Sequence, residues 1–177
     1  KTTGCENTRT NRVTYSKKIT IEKVIISDLT ENNTITVLAS GMENSEYSLD
    51  NPTGNFQDSN VFENVEPGIH TVYVNDKNGC GVVSKTVALI GAPLYFSPNG
   101  DGYNDKWTIK GINELFFKNS KVKIFDRYGK LIKELSDASS EGWDGTYNGH
   151  PLPATDYWFV ANIDDGRILK GHFALKR

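Results

Sequence analysis

Residues 70–74 read His70-Thr71-Val72-Tyr73-Val74, and their alternation decides the fold class. Successive side chains of a β-strand point to opposite faces, so a period of two with β-branched residues marks a half-buried strand. The run follows Pro67-Gly68 and leads into Asp76-Lys77-Asn78-Gly79, turn compositions on both sides. Moving outward, the same grammar recurs in residues 18–26 (KITIEKVII) and 34–39 (TITVLA), separated by Glu31-Asn32-Asn33 and Asp50-Asn51-Pro52-Thr53-Gly54. Short alternating strands between turn clusters predict a β-sandwich.

The second half repeats the pattern. Predicted strands cover 107–110, 121–126, 131–135, 157–163 and 168–175, with Arg127-Tyr128-Gly129-Lys130 and Asp164-Asp165-Gly166-Arg167 as hairpin turns. Residues 111–119 are ambiguous, because Ile112, Leu115 and Phe116 fit one turn of a short helix; no long helical period occurs anywhere. Gly91-Ala92-Pro93 is a breaker group between two strand-like stretches and marks the expected boundary. The expectation is therefore an all-β chain of two Ig-like antiparallel β-sandwich domains in tandem, 17–92 and 93–177. Residues 1–16 are either the tail of a preceding repeat or a first strand.

The chain has 177 residues, 37% hydrophobic and 24% charged, with Lys+Arg 20 against Asp+Glu 22. That composition is globular and lacks the basic excess that tracks a phosphate backbone, so nucleic acid is not an expected partner. No apolar run approaches the roughly 18 residues of a membrane helix, and the first 20 residues lack a secretory signal. Beginning at Lys1, the sequence reads as a piece of something longer, expected to be monomeric by itself. Cys5 and Cys80 lack the CxxC spacing of a zinc site. A disulfide between them would close a long loop and contribute about 4 kcal/mol. Equally, the shared Gly-Cys and the alternating stretch after each would make the first a remnant of an earlier repeat.

Residues 97–105, SPNGDGYND, concentrate oxygen ligands. Set on an EF-hand frame, Asn99, Asp101, the Tyr103 carbonyl and Asp105 fall at ligand positions, whereas Ser97 replaces the acidic first ligand and Thr108 the bidentate twelfth. With two carboxylates, Ca²⁺ affinity would fall toward about 10⁻⁴ to 10⁻³ M. The alternative is a turn in which the glycines take positive φ and the Asn and Asp side chains bond nearby N–H groups. No cofactor is required. His70, His150 and His172 stand far apart, without HExxH, Gly-x-Ser-x-Gly or a phosphate loop, so no catalytic residues are assigned and an enzyme is not expected. Trp143, Tyr147, Tyr157, Trp158 and Phe159 could form a sugar-binding platform, although such residues are more often core. The alternation of Tyr157 to Phe159 buries at least one face in any case.

Four motifs in order, FSPNGDGYND with KWTIKGI, VKIFDRYGKLIKE, EGWDGTYNGHPLPATDYWFV and the closing LKGHFALKR, make residues 94–177 resemble the gliding-motility-associated, type B C-terminal domain of Bacteroidetes type IX secretion substrates. Two departures stand out. Asp126-Arg127-Tyr128-Gly129 replaces the common Asn-Arg-Trp-Gly, and Ala154-Thr155-Asp156 replaces a glycine-containing turn. The resemblance implies a folded secretion signal, recognised in the periplasm by the export machinery with a small outer-membrane β-barrel partner, on a protein destined for the cell surface. Recognition is expected at Arg127, Tyr128, Gly129, Lys130, Trp143, Asp144, Gly145, Lys170, Gly171, Phe173, Lys176 and Arg177. Residues 17–92 are similar to the Ig-like repeats of surface adhesins, through EYSLDN and NFQDSNVFENVEPGIHTVYVNDKNGC.

Two other functions compete. A calcium-dependent adhesive or carbohydrate-binding module would contact an external polymer. An accessory domain would instead serve an enzyme whose catalytic part lies upstream.

Overall fold

A computed structural model describes residues 4, 8–10, 19–41, 44–77, 81–136 and 141–177. Cys5 and Cys80 lie outside the described residues, as does most of 1–16. The described chain is all-β, without a helix.

In the first half, β1 (Thr20–Ser27), β2 (Thr34–Ser40) and β4 (Val61–Phe62) make one antiparallel sheet, in the order β1-β2-β4. The facing sheet joins β3 (Ser45–Leu49), β5 (Gly68–Asp76) and β6 (Val82–Leu89) in that order. Val72 and Val74 are fully buried on the inner face of β5, with Ile35, Val37 and Leu89 around them. Strand β1 carries a subtler pattern. Ile21 and Val24 are an odd number of residues apart, yet both pack on this core. A register shift between Ile21 and Lys23 opposite β2 supplies the missing phase, since a bulge inserts one residue and returns the following side chains to the core face.

The second half holds a five-stranded sheet in the order β7-β13-β12-β8-β9, formed by β7 (Tyr95–Phe96), β8 (Lys121–Phe125), β9 (Leu131–Leu135), β12 (Asp156–Asn162) and β13 (Ile168–Leu175). Between β9 and β12 lies the small hairpin of β10 (Thr146–Tyr147) and β11 (His150–Pro151). All pairings in the large sheet are antiparallel except β7 with β13.

One expectation is corrected here and one ambiguity is resolved. Residues 107–110 are not a continuous strand: Trp107 bridges Trp143 and Lys110 bridges Gly91, so the layer facing the sheet is stitched by isolated bridges. Residues 111–119 form turns. The Asn113 side-chain oxygen accepts the N–H groups of Leu115 (2.9 Å) and Phe116 (2.8 Å), a local bond that competes with helix, and Phe117 sits at φ 57.

An aromatic cluster fills this second core. The Trp107 and Phe173 rings stack at 3.8 Å with 12° between planes, Trp143 meets Tyr157 edge-on at 4.9 Å, and Phe96 lies 5.4 Å from Trp143. Both buried indoles satisfy their N–H groups, Trp107 on the Pro93 carbonyl and Trp143 on the Thr146 carbonyl, each at 2.8 Å.

The change from one core to the other falls within a single peptide unit. Leu89 belongs to the first core and Ile90 to the second, both with zero exposure. The Asp28 carboxylate accepts the Ile90 N–H at 3.0 Å with one oxygen and pairs with the Arg167 guanidinium at 2.8 Å with the other. Gly111 approaches so closely, at φ +83, that a Cβ there would lie 2.2 Å from the Leu89 carbonyl oxygen.

Candidate functional site

The loop at 97–105 is tied to itself. Asp105 accepts the Gly100 N–H at 2.7 Å on one carboxylate oxygen and the Gly102 N–H at 2.8 Å on the other. Asp101 accepts the Tyr103 N–H at 2.7 Å and the Asn99 side-chain amide at 2.7 Å. Those bonds, the Asn99 amide first and the Tyr103 N–H second, hold the Asp101 carboxyl below the usual carboxylate range. The Asn99 side-chain oxygen accepts the Asp101 N–H at 3.1 Å, and Gly100 and Gly102 both take positive φ. Every carboxylate oxygen of the four-residue ligand set thus already accepts an N–H. No cluster of three or more His, Cys, Asp or Glu suited to a metal occurs among the described residues.

The recognition residues expected from sequence separate into three groups. The first gathers at one end of the second sandwich. Asp126 accepts the N–H groups of Tyr128 (2.8 Å) and Lys130 (2.9 Å), which folds residues 126–130 into a tight turn presenting Arg127 and Tyr128 to solvent. The Lys130 ammonium lies 4.3 Å from the centre of the Tyr147 ring, joining this turn to the β10–β11 hairpin. Arg177 closes the same end: its guanidinium donates to the Leu152 carbonyl at 3.1 Å and to the Gly145 carbonyl at 3.2 Å. Lys176 lies over the Tyr95 ring at 3.8 Å. Asp144 accepts both the N–H (3.0 Å) and the hydroxyl (2.8 Å) of Thr146. Its partial burial alone would raise the carboxyl, but the two Thr146 bonds and the charge of Lys133 outweigh that and leave it lowered.

The second group is interior. Trp143 and Phe173 are 1% and 0% exposed, so neither side chain can meet a partner directly; they hold the aromatic cluster on which the end loops sit. Lys170 and Gly171 form the third group, further along β13 opposite Val160 and Phe159. At Gly171 a Cβ would press on the Phe159 ring at 2.9 Å, which accounts for the glycine.

The five aromatic residues considered as a sugar platform do not share a surface. Trp143, Tyr157 and Phe159 are core, Trp158 faces out from the opposite side of β12, and Tyr147 carries Lys130. The Tyr157 hydroxyl donates to the Pro153 carbonyl at 3.0 Å, and burial pushes its pKa up. His70 bonds Asp50 at 2.6 Å and the Glu66 carbonyl at 2.7 Å, a cross-strand brace. His150 is exposed in the β10–β11 hairpin, and the His172 ring lies 6.3 Å from that of Trp158. The Asp28–Arg167 pair and the seating of Lys176 on Tyr95 were not foreseeable from sequence, because neither belongs to a local motif.

Residues 90–174 match the CHU_C Type IX secretion signal domain family. No curated protein matches the chain in sequence. Among solved structures, the BSP domain of a biofilm associated protein is similar at 17% identity and TM-score 0.31, over 88% of this chain and 29% of that one. Tp47, the 47-kilodalton lipoprotein of Treponema pallidum, is similar at 10% identity and TM-score 0.31, over 92% of this chain and 52% of that one. The chain therefore spans little more than half the length of either structure at most.

Proposed function

We propose that residues 90–174, which match the CHU_C Type IX secretion signal domain family, are read as a folded address at the end of their sandwich where the 126–130 turn, the 144–149 segment and Lys176-Arg177 converge. The reader in this proposal is the outer-membrane export machinery, acting with a small outer-membrane β-barrel partner after the protein has crossed the periplasm. The chain is then the C-terminal part of a secreted or cell-surface protein, and residues 17–92 are a structural repeat of adhesin type.

One observation carries the reading. Two segments far apart in sequence place Arg127, Lys130 and Lys176 at one end, where a third, the β10–β11 hairpin, meets Lys130 through Tyr147 and Arg177 through the flanking Gly145 and Leu152 carbonyls. An unfolded tail could not present that arrangement, so a signal of this kind operates only when folded.

The test uses the full chain fused behind a reporter in a bacterium with a working type IX system. Arg127→Glu with Lys130→Glu is expected to hold the reporter inside the cell with only a small drop in melting temperature, since both side chains are at the surface and the contact of Lys130 with Tyr147 is the one joining the turn to the hairpin. Export at the unmodified level would refute the assignment of this end. Deleting Phe173 to Arg177 is the weaker experiment, because Phe173 and Leu175 are core residues and the truncation would unfold the domain.

A further inference from the structure

The last strand has an edge that the fold leaves partly open. Leu175 N–H donates to the Thr155 carbonyl (3.0 Å) and Ile163 N–H to the Arg167 carbonyl (2.8 Å), so the odd-numbered residues of this stretch exchange hydrogen bonds with β12. Alternation in an antiparallel ladder then turns the N–H and C=O groups of the even-numbered residues away from β12. Ala174 and Lys176 direct theirs to β7, donating to the Leu94 and Phe96 carbonyls at 2.9 Å each. Pairing with β7 stops at Ala174 and Tyr95. Beyond it, the main-chain groups of Ile168, Lys170 and His172 face a cleft of about 640 Å³, and no hydrogen bond reaches their N–H groups among the described residues.

The walls of that cleft specify what would fill it. Ile90, Ala92 and Leu94 line it, with Leu29 and Pro67 from the first half and Leu169 and Gly171 from the inner face of β13 itself. On the solvent face of β13 the flanking side chains are Ile168, Lys170 and His172, all exposed. No ion pair reaches Lys170 among the described residues, and its neighbour on β12 is Val160. A strand laid along this edge would alternate between the two environments: apolar residues into the cleft, acidic ones beside Lys170 and His172.

We propose that the free edge of β13, from Ile168 to His172, is a strand-addition site that takes an extended segment of a partner protein with alternating apolar and acidic residues. Main-chain bonds to Lys170 and His172 supply the affinity, and the alternation supplies the specificity. Such an edge is otherwise a hazard for uncontrolled pairing, and here Lys170 and the neighbouring first half restrict what can approach. The inference requires only the edge and the cleft, and stands whether or not the 126–130 turn, which borders Lys170 and His172 across the outer face of the sheet, belongs to the export address.

The experiment uses the full chain, labelled with ¹⁵N, and a blocked VEVEVEV peptide as probe, with VKVKVKV as control. Saturable binding of VEVEVEV at or below about 1 mM is expected, with slowed amide exchange at Lys170 and His172 and weaker binding of VKVKVKV. Lys170→Pro removes one edge N–H without touching the odd-numbered bonds to β12, and is expected to weaken VEVEVEV by about tenfold or more at unchanged melting temperature. Should proline disturb the strand, Lys170→Glu keeps the main chain and is expected to reverse the preference between the two peptides. Slow exchange of the Lys170 and His172 amides in the free monomer would overturn the proposal, as would absence of VEVEVEV binding. Concentration-dependent dimerisation abolished by Lys170→Pro would overturn it in favour of a second copy as occupant.

Discussion

Replacing Asp28 with alanine tests how the two halves are joined. One carboxylate oxygen of Asp28 accepts the Ile90 N–H at 3.0 Å, and Ile90 is completely buried. Losing that acceptor leaves a buried donor unsatisfied, at a cost of about 1–3 kcal/mol. The other oxygen pairs with Arg167 at 2.8 Å; the Asp28 side chain is 10% exposed and that of Arg167 37%. Solvent screens a pair of this kind, so its removal adds about 1 kcal/mol at most. Asp28→Ala should therefore destabilise by about 1–4 kcal/mol, and for a chain of this size each kcal/mol lowers Tm by about 2–4 °C. Asp28→Asn retains an oxygen for Ile90 and loses only the charge, so about 1 kcal/mol is expected.

The chain carries its own assay. All three tryptophans, Trp107, Trp143 and Trp158, lie in the second half, so their fluorescence reports that half alone while far-ultraviolet circular dichroism reports both. In urea the two signals should coincide for the unmodified chain and separate for Asp28→Ala. A double-mutant cycle with Arg167→Ala isolates the ion pair from the Ile90 bond. If Asp28→Ala stays within about 0.5 kcal/mol of the parent and the two signals still coincide, the Asp28 contacts do not couple the halves.

Three further outcomes follow from the same geometry. Trp107→Ala removes a fully buried indole stacked on Phe173 and should cost about 3–5 kcal/mol, measured by thermal melting. Asp105→Ala, which strips the acceptors from Gly100 and Gly102, should lower stability by about 1 kcal/mol, and millimolar Ca²⁺ should leave the parent's Tm unchanged; a clear rise in Tm would make the loop a cation site. Asp144 is held below its ordinary value in the folded state, so its contribution is complete above the ordinary carboxylate range and disappears as pH falls through the lower folded value. Melting curves across that acidic window should be less steep in pH for Asp144→Asn than for the parent.

Much of the architecture is written as local alternation. Val72 and Val74 announce their shared face directly, and 131–135 is a strand with the expected bounds. Where the sequence misleads, a long-range requirement has overridden the local one. Residues 107–110 have strand composition, but their two ends are claimed by different bridges, to Trp143 and to Gly91. In β1 the spacing of Ile21 and Val24 breaks the period, and only pairing with β2 reveals the bulge that reconciles them. The candidate site shows a related confusion. Trp143 and Phe173 stand within conspicuous motifs, and conspicuous motifs invite a reading as contact residues; both are interior. Arg127 and Lys130 came from the same motifs and lie at the surface, so motif membership alone cannot separate an exposed side chain from one that supports the core. Asp28 and Arg167, 139 positions apart, offer no local signal at all.

The handover between Leu89 and Ile90 has a mechanical consequence. Two bodies joined by a slack linker can be pulled some distance before either feels the load, but here the last residue of one core is bonded to the first residue of the next. They are coupled in series without play. A force applied to the C-terminal domain reaches the β6 strand of the preceding sandwich at once, and β6 is held along its length by pairing with β5, so the load falls in shear on a full ladder of hydrogen bonds.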